Sequence, residues 1–120
     1  METKVVIQPV TYDRQKDMLY LAIHSNRPSL TRGNRHDVLV MYDKTDRQTL
    51  VGIEVMDFAA HLVPLLHKPG VVPALNKRFT VANTDLQDAD LRKVLEWCYH
   101  QYVLAPLRVA VEAKSQSIHV

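Results

Sequence analysis

Asp13, Asp17, Asp43, Asp46, Glu54 and Asp57 stand beside short apolar runs in the first half of this 120-residue chain. Two or three such carboxylates, brought together, would hold a divalent cation or work as a general acid and base. Asp13, Asp43 and Glu54 are the candidates for a catalytic role, in a pocket at the tips of two hairpins. A local reading competes with that chemistry. Asp13 and Asp43 each follow a tyrosine at the end of a β-favouring run, where an aspartate opens a turn by accepting hydrogen bonds from backbone N–H groups. Asp57 stands where a helix would begin. Glu54 lies inside a run, so no turn or cap accounts for it.

The histidines make a weaker set. His24 and His36 flank one connection and would supply half of a metal site, whereas the spacing of His61 and His67 puts them on different helical faces. No HExxH, CxxC, GxSxG, P-loop or GxGxxG pattern occurs, so no cofactor is expected. Arg27, Arg32 and Arg35 share an acid-free stretch between Asp17 and Asp37 that Pro28 and Gly33 interrupt. A mobile cationic loop there would hold a phosphate or an RNA backbone. It lacks the aromatic side chains that stack bases, so solubilisation is the favoured reading and nucleic acid is not the expected partner. Cys98 falls on a buried helical stripe and reads as an inert core thiol.

These residues need elements to position them. Val5–Val10, Met18–Ile23, Val38–Tyr42 and Leu50–Met56 read as strands bounded by turn formers. In the last of these, Val51, Ile53 and Val55 alternate with Gly52, Glu54 and Met56, so one face is apolar and Glu54 lies on the other. At an offset of 30 residues, Val10, Tyr12, Asp13 and Ile23 meet Val40, Tyr42, Asp43 and Ile53. The repeat predicts two β-hairpins of one plan, joined as a meander. Asp57–Leu66 reads as a short helix capped by Asp57, the proline-rich stretch after it as irregular chain, and Arg78–Ala82 as a further short strand.

The C-terminal third carries a helical period. Leu91, Val94, Leu95, Cys98, Tyr102 and Val103 share a stripe, predicting an amphipathic helix over 84–104. Thr84 and Gln87 stand at capping-box spacing and Pro106 marks the stop. Trp97 and Tyr99 border the stripe, and Leu107, Val109 and Val111 alternate with polar or small residues as a strand or arm over 107–112. These five are the expected interface residues. The prediction is one α+β domain over 1–120: an antiparallel sheet of four to five strands from two hairpins, packed by the C-terminal helix.

Composition narrows the function classes. With 47% hydrophobic and 23% charged residues and a net charge of +2, the chain fits an ordinary globular domain with no electrostatic demand for nucleic acid or an anionic membrane. Its single cysteine excludes an intramolecular disulfide. The apolar run Val5–Ile7 is too short for a signal-peptide core and no run spans a bilayer, so a cytoplasmic setting is expected.

Tyr12-Asp13-Arg14-Gln15-Lys16-Asp17-Met18-Leu19-Tyr20-Leu21, then Val40-Met41-Tyr42-Asp43, then Leu50-Val51-Gly52-Ile53-Glu54-Val55-Met56, resembles a family of small prokaryotic proteins classed as a domain of unknown function. The family pattern runs YDxxxDxLYI, VxYD and LVGIEIL, and the resemblance covers residues 5–62. Two departures stand out. Lys44–Thr49 replaces a tight glycine-containing turn, making the second hairpin tip longer, and His24–His36 is longer and more basic than the pattern. The resemblance implies a small sheet with a helix and carries no catalytic residues. Because the chain's motifs all have turn and strand explanations, the expected function is a non-enzymatic interaction module that self-associates or binds a protein partner; the resemblance adds the neutralising subunit of a toxin–antitoxin pair as one such role. A small-ligand protein or enzyme using the hairpin-tip carboxylates is the alternative, and RNA binding through Arg27–Arg35 the second.

Overall fold

The computed structural model describes residues 3–24, 26–73 and 75–107. Its strands are β1 (Thr3–Ile7), β2 (Val10–Asp13), β3 (Met18–Ala22), β4 (Ser29–Arg35), β5 (Val38–Asp43), β6 (Leu50–Val55) and β7 (Lys77–Val81), followed by helix α1 (Leu91–Cys98). β2 to β6 form a five-stranded antiparallel sheet in the order β2-β3-β6-β5-β4, while β1 and β7 pair in parallel as a separate two-stranded sheet. The fold is α+β.

Both repeat-predicted hairpins form, β2-β3 and β5-β6, but not as a meander: their second strands, β3 and β6, lie side by side at the centre. Ala22 and Gly52 are 30 residues apart, equivalent in the repeat, and also cross-strand partners. An approximate twofold axis therefore passes between them, perpendicular to the sheet. It sends the two hairpin tips to opposite ends. Asp17 and Arg47, each five residues after its tyrosine, both take left-handed backbone angles, φ 53° and 59°. The second tip is one residue longer, as Met18 pairs with Asp13 whereas the Asp43 N–H donates to Thr49 O at 2.8 Å. Asp46 closes the longer tip in place of a glycine, accepting from the N–H groups of Gln48 and Thr49 at 2.8 and 2.9 Å and from the Thr49 hydroxyl at 2.6 Å.

The apolar face of the sheet supplies Leu19, Leu21, Val38, Val40, Ile53 and Val55 to a core completed by Phe58, Leu62, Phe79 and the Leu91-Val94-Leu95-Cys98 stripe of α1. Ile53 and Val55 thus face inward as read, whereas a bulge at Val51, where the β5-β6 register shifts, puts Leu50 rather than Val51 in the core cluster.

Several boundaries differ from the sequence reading. The first apolar run divides between two sheets: β1 pairs with β7 and β2 with β3, and the Gln8–Pro9 peptide between them is cis. The basic stretch is no mobile loop: residues 29–35 are edge strand β4, with a bulge between Thr31 and Asn34 that blunts the edge. Helix α1 starts at Leu91, not at residue 84. Its cap is Asp90, which accepts from the Lys93 N–H at 2.8 Å, while Thr84 bonds the Val81 carbonyl and the Leu86 N–H locally. Pro106 does not end the helix either. Tyr99–Leu104 widen into a π-helical segment and the helical run continues to Leu107; the wider turn accommodates a ring that lacks a donor. The predicted arm over 107–112 therefore begins as helix at Leu107, and Val109 and Val111 lie outside the described residues. No helix among the described residues is long and apolar enough to cross a membrane.

Candidate functional site

The twofold arrangement decides the fate of the catalytic candidates. Asp13 lies at the first tip, beyond the Leu19–Val55 pair, and Asp43 at the second, beyond Ala22–Gly52, with Glu54 between them. The structure does not bring the three together. Asp13 accepts from the Lys16 N–H at 3.1 Å. Asp43, buried at the second tip, accepts from Thr45 N–H at 2.7 Å and from Arg27 at 3.2 Å. The Thr45 bond leads in holding its carboxyl below the usual range. Both aspartates serve turns.

Asp17, the third carboxylate of the first motif, has a longer reach. Its oxygens accept from the N–H groups of Ala59 and Ala60 at 2.8 and 3.0 Å, and from the Tyr12 hydroxyl at 2.6 Å. It therefore caps the π-helical turn Phe58–Leu62 from another hairpin, the role expected of Asp57, which makes no side-chain cap bond. Partial burial works to raise the Asp17 carboxyl, yet the Tyr12, Ala59 and Ala60 bonds together hold it below its ordinary value. Burial, followed by the bond to Asp17, pushes the Tyr12 phenol up to about 12. The tyrosine and aspartates of the signature thus build the scaffold.

His24 and His36 do not form half of a metal site. The His24 ring bonds Leu50 O at 3.1 Å at one end of β6, whereas His36 and Asp37 form the tight β4-β5 turn beside Val55 at the other end. Asp37 also meets His61 Nδ1 at 3.1 Å, and the His36 and His61 rings lie 6.3 Å apart. No group of three or more His, Cys, Asp or Glu side chains among the described residues is placed to hold a metal ion. Arg27 is tied to Asp43, and Arg32 and Arg35 follow it on β4, so the three arginines do not share a loop.

Glu54 is different. It occupies the centre of the outer sheet face, paired with Tyr20 on β3 and Leu39 on β5, with Met41 opposite neighbouring Gly52. Tyr20, Leu39, Met41 and Glu54 are all half-buried. Tyr20 leans across Gly52: a Cβ there would stand 2.8 Å from the Tyr20 hydroxyl and 3.1 Å from the Leu21 carbonyl oxygen. The glycine leaves room for the ring to lie beside the carboxylate. Burial first, then the Glu54 charge, raises the Tyr20 phenol. Among the described residues, no hydrogen bond or ion pair engages Glu54. An aromatic ring, two flexible apolar side chains and a carboxylate with no partner among the described residues thus share one face. Sequence reasoning singled out Glu54 but missed Tyr20; a glycine inside a strand was the available signal.

The expected interface residues on the helix are also half-exposed. Trp97 packs edge-on against Tyr102 of its own helix at 6.0 Å, Tyr99 lies on the margin, and Leu107 is exposed. Cys98 is fully buried, and burial pushes its thiol up to about 12.

Comparison with known proteins gives a match over residues 10–58 to a family described as protein of unknown function (DUF2283). The matched span runs from the first residue of β2 to Phe58, and so holds both hairpins, Asp17 and Glu54. No curated protein and no solved structure matches the chain.

Proposed function

We propose that this chain, similar over its hairpin sheet to a family of unknown function, is a non-enzymatic interaction module whose outer sheet face docks a protein partner. The observation that carries the reading is the half-buried Glu54 carboxylate between Tyr20 and Leu39, which no hydrogen bond or ion pair among the described residues engages. A half-buried charge ringed by apolar groups gains most from a desolvating partner that brings an opposite charge. Tyr20 adds an aromatic surface beside the carboxylate, which suits an arginine or lysine approaching both. The partner presents a cation within an apolar patch. A second copy stacked on the same face would oppose Glu54 with its own Glu54, so charge disfavours it.

The test is a photoactivatable residue at Leu39, with a second at exposed Lys44 as control, introduced in the source cells. The expected result is a cross-link from position 39, absent from position 44, to a peptide holding an arginine or lysine among apolar residues. Equal yields at both positions, or a turnover lost on Glu54→Gln with the fold intact, would overturn the reading. An antitoxin-like role is a finer version supported by the sequence resemblance, and a cytoplasmic setting one supported by the short apolar runs.

A further inference from the structure

A groove of about 850 Å³ lies where the two sheets part. Its volume falls in the range of small-molecule sites, about 300–1,000 Å³. One wall belongs to the parallel pair, with Lys4, Val6 and Gln8 on and just after β1 and Lys77 at the start of β7. The other belongs to the hairpin sheet, where Ile23 and His24 follow β3, and Thr49 and Leu50 lead from the second hairpin tip into β6.

The charge on this lining is lopsided. Lys4 and Lys77 stand one register step apart on neighbouring strands, and no acid among the described residues pairs with either. Asp46 also lines the groove, but its oxygens are committed to its own turn, Oδ1 to the N–H groups of Gln48 and Thr49 and Oδ2 to the Thr49 hydroxyl. His24 is held in place at both ends. Its backbone N–H donates to Val51 O at 2.9 Å, and its ring Nδ1 lies 3.1 Å from Leu50 O. A carbonyl only accepts, so Nδ1 carries a proton and Nε2 is the ring nitrogen left for a ligand.

We propose that the groove binds a small phosphate monoester, with its phosphate at Lys4 and Lys77 and its organic body against Val6, Ile23 and Leu50. A phosphate monoester carries about −1.5 to −2 of charge at neutral pH and three strong acceptor oxygens. Two ammonium groups match that charge, and lysine serves phosphate as a point charge. A carboxylate would bring only half of it. The His24 Nε2 accepts from a protonated phosphate oxygen or, once protonated itself, donates to an ionised one. A bare phosphate would leave most of the groove unfilled, whereas the apolar side chains reward a ligand whose body covers them. Lys4, Gln8 and Lys77 lie outside the family match over residues 10–58, and Asp46 and Thr49 belong to the longer hairpin tip. The site is therefore a property of this chain and not of the family's sheet as such. None of Tyr20, Leu39, Met41 and Glu54 lines it, so it stands independently of the outer face.

The full-length chain is titrated calorimetrically with inorganic phosphate, then with a panel of sugar phosphates and mononucleotides, each beside its unphosphorylated parent at constant ionic strength. Inorganic phosphate is expected to bind weakly, one or more monoesters at least about tenfold more tightly, and their parents not at all. Lys4→Gln with Lys77→Gln should weaken the monoester at least about tenfold, whereas Lys93→Gln, on the exposed side of α1, should leave it unchanged. Urea unfolding checks that each variant folds. Methyl spectra of the wild-type chain give a readout that needs no variant, with shifts expected at Val6, Ile23 and Leu50. Failure of the whole panel to bind, equal binding of the parents, a best monoester no tighter than phosphate, or affinity kept in the double lysine variant would overturn the proposal. Methyl shifts confined to Leu39 and Met41 would overturn it as well, and would place the anion on the outer sheet face. A single-stranded RNA bound more tightly than its mononucleotide would also overturn it, and would make the groove a nucleic-acid surface.

Discussion

Replacing Asp17 by alanine should cost about 3 kcal/mol, although the residue lies away from the outer face around Glu54. The carboxylate caps Ala59 and Ala60 at 2.8 and 3.0 Å, and losing such a cap costs about 0.5–2 kcal/mol. It also holds the Tyr12 hydroxyl at 2.6 Å; stranding a part-buried hydroxyl costs about 1–3 kcal/mol. A further ~1 kcal/mol arises because Asp17 has a φ of 53°, which alanine tolerates poorly and asparagine well. Asp17→Asn therefore isolates the charge: it keeps the backbone angle and one acceptor, and should cost about 1–2 kcal/mol. Equilibrium urea unfolding reads both, and with an m-value near ~1.5 kcal/mol/M the alanine midpoint should fall by about 2 M. Tyr12→Phe should cost less than Asp17→Ala, because the two amides remain capped, and the double variant should be less destabilised than the sum of the singles. An alanine variant less than about 0.5 kcal/mol from wild type, below the lower estimate for losing the cap alone, would refute the assignment of this signature aspartate to the scaffold.

Other outcomes follow from the same contacts. Gly52→Ala should destabilise by about 1–3 kcal/mol through overpacking against the Tyr20 ring and Leu21 carbonyl; in denaturant titrations Tyr20→Phe should recover only part of it, since the carbonyl contact remains. Asp17, Asp43 and Asp46 are held below their ordinary 3.8, Asp46 at about 2. The folded state thus binds these protons less readily than the unfolded chain, and the resulting stability is present above about pH 4 and drains away toward pH 2. Thermal melts across that window should fall steeply, and Asp17→Asn should flatten the slope. Cys98 should not react with a thiol reagent in the native protein, and should label at the rate of unfolding when denaturant is added.

Much of the hairpin sheet was legible because the tyrosine-aspartate repeat combines a strand-end residue with a turn-opening one, a local signal. β4 escaped since Ser29–Arg35 is an edge strand with little apolar alternation to reveal it. The parallel β1-β7 pairing escaped because it joins residues 3–7 to 77–81, far apart in sequence and without local pattern. Asp57 looked like a cap by position, yet the cap came from Asp17, whose proximity depends on how β3 packs beside β6. Glu54 could be picked out as the carboxylate without a turn to serve. Its neighbours could not, as Tyr20 and Leu39 reach it only through the register of three strands.

The central claim is that the face around Glu54 docks a cation-bearing partner, and a charge exchange tests it most directly. Glu54→Lys should weaken binding of the cross-linked partner by at least about a hundredfold, an effect of the size seen when a desolvated charge pair is broken. Reversing the identified arginine or lysine to glutamate should restore most of that loss. Unchanged affinity in the Glu54→Lys protein, or a loss that the reciprocal exchange does not repair, would contradict the account.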